Sequence, residues 1–375
     1  MDQVNVLIIG GGVVGCAIAE ALSRRWADVF LVEKNPKFGM ATSTRNSGVI
    51  HSGIYYPKNS LKARLCVEGN RLTKEFCANH GVPHRTTGKL VVAKVKEEEA
   101  DLLALKKKGE ANGVPELRIL DAAGIREREP HVCGFAALDV PSTGICSSEE
   151  LVHAFARVAE NQGANLLSHA KVESLVPRDS VVRVGLRIGD EDAAESESIE
   201  ARCVINAAGL YADEVARLLG PRSWKIYPVR GEYCEIRGPH AELVNNLVYP
   251  LPHKDGLTLG LHFTKTLWGT LLLGPTARYV DGKENYERER MTAAEFAADV
   301  KTMVPKIEEG DLQLAYSGLR PKLVPPDGAG IADFVIEPDR EVPQVIQLVG
   351  IESPGLTAAP AIAGYVSGMV ADVLD

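Results

Sequence analysis

Apolar residues open the chain as two short runs, with a glycine turn and an amphipathic stretch between them. Val4 to Ile9 is a β-branched run of the buried-strand kind, Val13 to Arg25 has helical spacing, and Val29 to Val32 is a second buried strand. The pattern predicts one βαβ unit. Ser60 fits as the N-cap of a helix through His80, with Leu61, Leu65, Leu72 and Phe76 on one face and Gly81 just past its end. Ser147 to Glu150 reads as a capping box opening a helix to about Gly163. Val181 to Ile188 and Ile199 to Ile205 read as strands around an acidic connection, Gly189 to Ser198, expected to be a solvated hairpin loop. From Trp224 to Leu273, short apolar runs between glycine and proline turns predict an antiparallel sheet. Glu284 to Val304 returns to helical spacing, Val324 to Gly330 reads as an exposed turn, and helix resumes from about Thr357. No period of roughly 20 to 50 residues recurs, which excludes solenoids and propellers. This order predicts an α/β protein whose nucleotide-binding domain is assembled from separated segments, with an antiparallel domain inserted between them.

The first turn carries the sharpest chemistry. Gly10-Gly11-Gly12-Val13-Val14-Gly15 fits G-x-G-x-x-G, and Glu33 ends the next strand 18 residues past Gly15. Gly10 allows the tight turn, Gly12 lets backbone N–H groups approach a pyrophosphate, and Gly15 allows close helix–strand packing. The helix N-terminus adds partial positive charge. Glu33, with Lys34 beside it, can accept hydrogen bonds from ribose hydroxyls and disfavours the extra phosphate of NADP. The motif alone leaves FAD and NAD open, with FAD favoured. A second apolar strand, Val204-Ile205-Asn206-Ala207-Ala208-Gly209, ends in small residues that can approach such a cofactor.

Composition narrows the partners. The net charge is -8, with 42 basic and 50 acidic residues interspersed, so no basic face for nucleic acid stands out. Seven cysteines lack any C-x-x-C pair, which points to reduced, mostly buried thiols and to no metal site. No signal peptide and no run of about 18 apolar residues is evident. A cytoplasmic location is expected, with peripheral association with the inner membrane left open.

Arg45-Asn46-Ser47-Gly48-Val49-Ile50-His51-Ser52-Gly53-Ile54-Tyr55-Tyr56-Pro57, followed by Ser60-Leu61-Lys62-Ala63, is long and unusual. With Pro228 to Tyr233, Gly260 to Thr264, Gly274-Pro275 and Ser317-Gly318-Leu319-Arg320, it resembles the FAD-dependent D-amino-acid oxidase-like superfamily. Within that superfamily it is most similar to the L-2-hydroxyglutarate dehydrogenase/oxidase branch. The resemblance implies a discontinuous Rossmann-type FAD-binding domain with an inserted α+β substrate domain built on an antiparallel sheet. The FAD-binding domain would comprise 1–80, 145–223 and 325–375, and the substrate domain 81–144 and 224–324. It implies that Thr42, Ser43, Arg45, Asn46, Ser47 and Gly48 pass near the pyrophosphate and isoalloxazine, and that Val172, Ala208 and Gly209 lie on the adenine side. Gly318 and Arg320 would border the flavin. Gly355, Leu356 and Thr357 would present a helix start to its N1 edge, where a positive helix end stabilises the reduced ring. The chain departs from the branch at Pro321-Lys322, where Ala-Gln is usual, and at Gly350 to Gly355. These departures bear on the substrate.

Oxidising a 2-hydroxy acid moves a hydride from C2 to flavin N5 while a base takes the hydroxyl proton. His51 and His262 are the candidates, one as base and the other as hydrogen-bond donor. Arg320 is the candidate fork for a substrate carboxylate. Tyr55 and Tyr56 are placed to touch substrate or close the pocket, and Lys62 and Arg64 are expected on a solvated helix face. The leading expectation is oxidation of L-2-hydroxyglutarate to 2-oxoglutarate, with oxygen, a quinone or an electron-transfer protein as acceptor. The alternatives are a glycine-, sarcosine- or D-amino-acid oxidase and a glycerol-3-phosphate dehydrogenase. A scaffold that binds no flavin is a remote fourth.

Overall fold

The computed structural model describes residues 3–190, 194–252 and 258–375. The middle of the acidic connection, 191–193, and the stretch 253–257 within the expected antiparallel region lie outside the described residues.

Two large sheets organise the chain. The first has eight strands, in the order Ala170–Pro177, Val182–Ile188, Glu195–Asn206, Gln3–Ile9, Val29–Val32 and Asn165–Leu167. Val345–Val349 joins it on the last residues of Glu195–Asn206, and Val335–Pro338 pairs with Val345–Val349. The central pairings are parallel, and the continuous apolar run Val6, Leu7, Ile8 and Ile9 is buried there, as a sheet covered on both faces demands. Helices Val13–Ser23, Ser148–Asn161 and Gly355–Leu374 pack together against this sheet, and the last also packs on helix Leu61–His80. Gly355–Leu374 is the one described helix long and apolar enough to cross a bilayer. Its inner positions, Ala358, Ala359, Ile362 and Val366, are buried in the core.

The second sheet has nine strands and is antiparallel except where Leu247–Pro250 runs parallel to Leu90–Ala93. Its long elements are Tyr227–Ile236 and Leu312–Lys322, paired along most of their length. A small third sheet of Val49–Ile50, Gly144–Cys146 and His84–Thr86 joins the loop after the first βαβ unit to the rest.

Local signals held where they were strongest. Ser60 caps Leu61–His80 by accepting from the Ala63 N–H at 3.1 Å, and Gly81 ends it at a φ of 70°. Ser147 accepts from the Glu150 N–H at 3.4 Å. Two expectations need correction. The strand Glu195–Asn206 begins inside the stretch read as loop, because residues 195–201 pair with Val182–Ile188. The helix expected over Glu284 to Val304 is only Ala293–Val300, opened by a capping box of Thr292 and Glu295. Upstream of it, the buried pair Arg230–Glu232 takes the backbone instead: Arg230 donates to the Glu289 carbonyl at 3.1 Å and Met291 N–H donates to Glu232 at 2.7 Å. Those partners pull the segment out of helical geometry, and Glu289 sits at a φ of 52°.

Candidate functional site

The glycine turn has the shape a pyrophosphate needs. Gly10 has a φ of 108°, and a Cβ there would lie 2.5 Å from the Ala207 carbonyl oxygen. A Cβ on Gly15 would come within 1.9 Å of the Gly10 oxygen, so the helix seats directly on the turn. At Gly12 the same atom would meet only Ser43 Oγ, at 3.0 Å, and faces open space. Gly12, Val13 and Val14 line a deep cavity together with Ala207 and Gly209. Ser43 Oγ accepts from the Val13 N–H at 2.9 Å, while Gly12, the helix N-cap, makes no side-chain capping bond. Glu33 is buried; its carboxylate accepts from Gly11 N–H at 2.7 Å and Asn35 N–H at 2.8 Å. Those bonds fix the turn from behind and leave lone pairs for a ribose. Lys34 lies over the Tyr211 ring, 3.4 Å from its centroid. A bare-backbone cradle with a buried acid behind it fits FAD.

From the turn the cavity runs between the loop 42–47 and the strand Leu312–Lys322. Thr42 Oγ1 donates to the Leu319 carbonyl at 2.9 Å, and Tyr316 donates its hydroxyl to the Asn46 carbonyl at 2.8 Å. Gly318 permits the approach, since a Cβ there would be 2.0 Å from the Arg45 oxygen. The Ser-Gly-Leu-Arg motif is therefore a seam between the two halves. Thr42, Ser43, Arg45, Asn46, Ser47, Gly318 and Arg320 all line the cavity. Arg320 Nη1 donates to the Thr276 carbonyl at 3.1 Å, and its other amino group lies against Gly231.

The two histidines converge on this cavity with Tyr55 and Tyr56. His262 Nδ1 lies 2.8 Å from the Gly260 carbonyl oxygen. A carbonyl only accepts, so Nδ1 carries the proton and Nε2 keeps its lone pair. The His262 ring stacks on Tyr249, centroids 3.7 Å apart. His51 is pinned by its backbone: its N–H donates to Thr357 Oγ1 at 2.9 Å, and Asn70 donates to its carbonyl at 2.8 Å. Its Nε2 lies 3.3 Å from Ser353 Oγ, and its Nδ1 is buried without a hydrogen-bond partner among the described residues. Burial, reinforced by the Lys89 charge, pushes both imidazoles down to about 3, so both are neutral at ordinary pH.

That shift has a consequence for stability. The folded chain leaves these imidazoles unprotonated to about pH 3, while the unfolded chain protonates them below the ordinary 6.5. The unfolded state then binds more protons, so stability falls as the pH drops through this window. Each histidine contributes up to about 1.4 kcal/mol per pH unit. Between about pH 7 and pH 5, the urea midpoint of the wild type is expected to fall more steeply than that of His262→Gln. Parallel slopes would mean that folded His262 is charged.

The expected solvated face of Leu61–His80 holds Arg64 but not Lys62. Lys62 is 2% exposed and pairs with Glu352 at 2.9 Å. Lys322 reaches the same carboxylate at 3.6 Å. Burial opposes the Glu352 charge, but Lys62 and Lys322 outweigh it and hold its carboxyl below the usual range. Lys62, Lys322 and Arg320 all line the cavity, with Glu352 as its acid among the described residues. Glu352 and Lys322 were not singled out as site residues by sequence, although Pro321-Lys322 stood out as a departure.

Other predicted residues lie behind the lining. Gly48 faces the Cys146 carbonyl, and Thr357 is buried against His51 and Val49. Val172 and Ala208 pack in the apolar cluster around Leu7 and Val32. Gly355 and Leu356 do line the cavity, at the start of the C-terminal helix.

The chain matches the FAD dependent oxidoreductase family over residues 5–369. It is 33% identical to the mitochondrial L-2-hydroxyglutarate dehydrogenase of Arabidopsis thaliana, over 98% of this chain and 83% of that one. It is 31% identical to the L-2-hydroxyglutarate dehydrogenase of Escherichia coli K12, over 99% and 94%. Among solved structures, the FAD-bound L-alpha-glycerophosphate oxidase of Mycoplasma pneumoniae is similar at a TM-score of 0.87 and 28% identity, covering 100% of this chain and 95% of that one. With the match running through both sheets and the cradle shaped for the cofactor, this chain belongs to the FAD-dependent oxidoreductase family and is an FAD enzyme.

Proposed function

We propose that the enzyme oxidises a 2-hydroxy dicarboxylate, L-2-hydroxyglutarate, to 2-oxoglutarate. The observation that carries this reading is the cavity wall where Arg320 and Lys322 stand two residues apart on one strand, with His262 in the same cavity. Side chains at i and i+2 share a face, about 7 Å apart along the strand. That spacing suits two carboxylates on a short carbon chain. Arg320, Lys322 and Lys62 surround one carboxylate, Glu352, and Arg45 lines the same cavity, so the excess of positive charge suits an anionic substrate. The names of the relatives in Arabidopsis and Escherichia coli point the same way.

In this reading Arg320 grips the carboxylate beside the reacting carbon and fixes its direction. Lys322 takes the distal carboxylate. A neutral histidine accepts the hydroxyl proton as the hydride leaves; the Nε2 lone pair of His262 is fixed for this by the Gly260 carbonyl. An imidazole this hard to protonate becomes a better base once an anion lies beside it, which couples basicity to substrate binding. Bound FAD supplies the hydride acceptor.

One observation favours a second reading. Lys62, buried in the cavity rather than solvated, adds the basic residue that a phosphate would want, and the similar Mycoplasma structure is that of a glycerophosphate oxidase. Anaerobic mixing separates the two. Loss of the yellow colour with L-2-hydroxyglutarate is expected. Bleaching by glycerol 3-phosphate, with the hydroxy acid inert, would transfer the assignment.

A further inference from the structure

Lys89 occupies a position that neither the fold nor the charge cluster explains. It precedes the strand Leu90–Ala93, anchored by mutual backbone hydrogen bonds with Val140. Its side chain is 2% exposed, yet no carboxylate pairs with it among the described residues. Its Nζ donates to the Tyr55 hydroxyl at 3.1 Å and lies over two rings, 4.5 Å from the Tyr55 centroid and 4.6 Å from that of Tyr249. Tyr55 and Tyr249 both line the cavity, and Tyr249 stacks on His262.

Among the described residues, the titratable groups facing Lys89 are Cys66 from the long helix, His51 and Tyr55 from the loop, Tyr249 from the second sheet and His262 just before its strand Phe263–Lys265. None is an acid of the carboxylate type. Burial lowers the lysine to about 7, with the Cys66 thiol opposing weakly. An ammonium kept in such a place without a counter-ion is costly, and apolar replacements of buried ions are often tolerated.

An ammonium has only protons to give. While Lys89 is charged, Tyr55 accepts from it, which leaves the phenolic O–H to donate to another partner. We infer that Lys89 is a positioning residue: while it is an ammonium it holds Tyr55 as a hydrogen-bond donor to the bound carboxylate, and it loses that hold when it becomes an amine. A neutral amine carries a lone pair, so it can accept a hydrogen bond from the Tyr55 hydroxyl and turn that O–H away from the substrate. The inference rests on the reading of this cavity as the carboxylate site.

The test is a double-mutant cycle in FAD-loaded enzyme with Lys89→Met, Tyr55→Phe and both together. With L-2-hydroxyglutarate, each single change should lower kcat/KM about tenfold, through KM more than kcat, and the pair should be no worse than the weaker single. The wild type should lose kcat/KM as pH rises through the lysine's ionisation, a limb absent from both single variants. Multiplied losses in the pair, or an alkaline limb that survives Lys89→Met, would overturn the inference. The same cycle on melting temperature needs no substrate, so it still decides if the hydroxy acid proves inert and only the substrate reading has failed. There the two changes should again be non-additive. The wild type should also gain stability relative to Lys89→Met from about pH 7 to pH 9, because the unfolded chain binds the proton more tightly across that range. Additive melting shifts with parallel pH slopes would refute the role outright.

Discussion

Gly12→Asp is expected to give folded protein that carries no flavin. The three glycines of the turn differ in what they exclude. Side chains at Gly10 and Gly15 would strike backbone atoms at 2.5 Å and 1.9 Å, so changes there attack the fold itself. At Gly12 the only neighbour is Ser43 Oγ at 3.0 Å, the flexible end of a side chain. An aspartate can therefore be housed, and its carboxylate takes the N–H groups and helix-end charge that the pyrophosphate requires. Folded protein should be recovered with a cooperative melt but without yellow absorbance. A normal flavin-to-protein ratio would show that the cofactor's phosphates lie elsewhere.

Arg320→Ala carries the second large effect. The guanidinium is aimed before any substrate arrives, by the Thr276 carbonyl and by its rest against Gly231. Removing one partner of a buried charge pair costs about 3–5 kcal/mol. In kcat/KM for L-2-hydroxyglutarate that is a loss of roughly two to four powers of ten at about 1.4 kcal/mol per tenfold. Arg320→Lys should restore only part, since an ammonium keeps the charge and lacks the fork. Stopped-flow reduction of the flavin measures both variants, and a wild-type rate for Arg320→Ala would remove Arg320 from the site.

What the sequence disclosed follows the range of the interactions involved. The glycine turn, the caps at Ser60 and Gly81 and the opening of the helix at Ser147 are settled by neighbours a few residues away, and all were legible. His51, His262 and Arg320 were nominated through resemblance, and the structure brings them into one cavity. Lys62 was misjudged because helical spacing assigns a face but does not say what arrives to cover it; its partner, Glu352, is 290 residues away. Lys89 was not singled out by sequence, because only the meeting of Tyr55 with Tyr249 around it makes it a buried cation. The stretch before Ala293 has helical composition, yet Arg230 and Glu232, from another strand, claim its backbone.

The placement of the last helix bears on how the enzyme is made. Residues 355–374 pack on the helix that begins at Val13, and Val345–Val349 pairs with the strand beside Gln3–Ile9. The phosphate turn is synthesised long before residues 355–374, so one flank of the helix behind it stays uncovered until they have been made. Flavin loading is then expected to follow synthesis of that helix, and a nascent chain stalled short of it to meet chaperones before the cofactor.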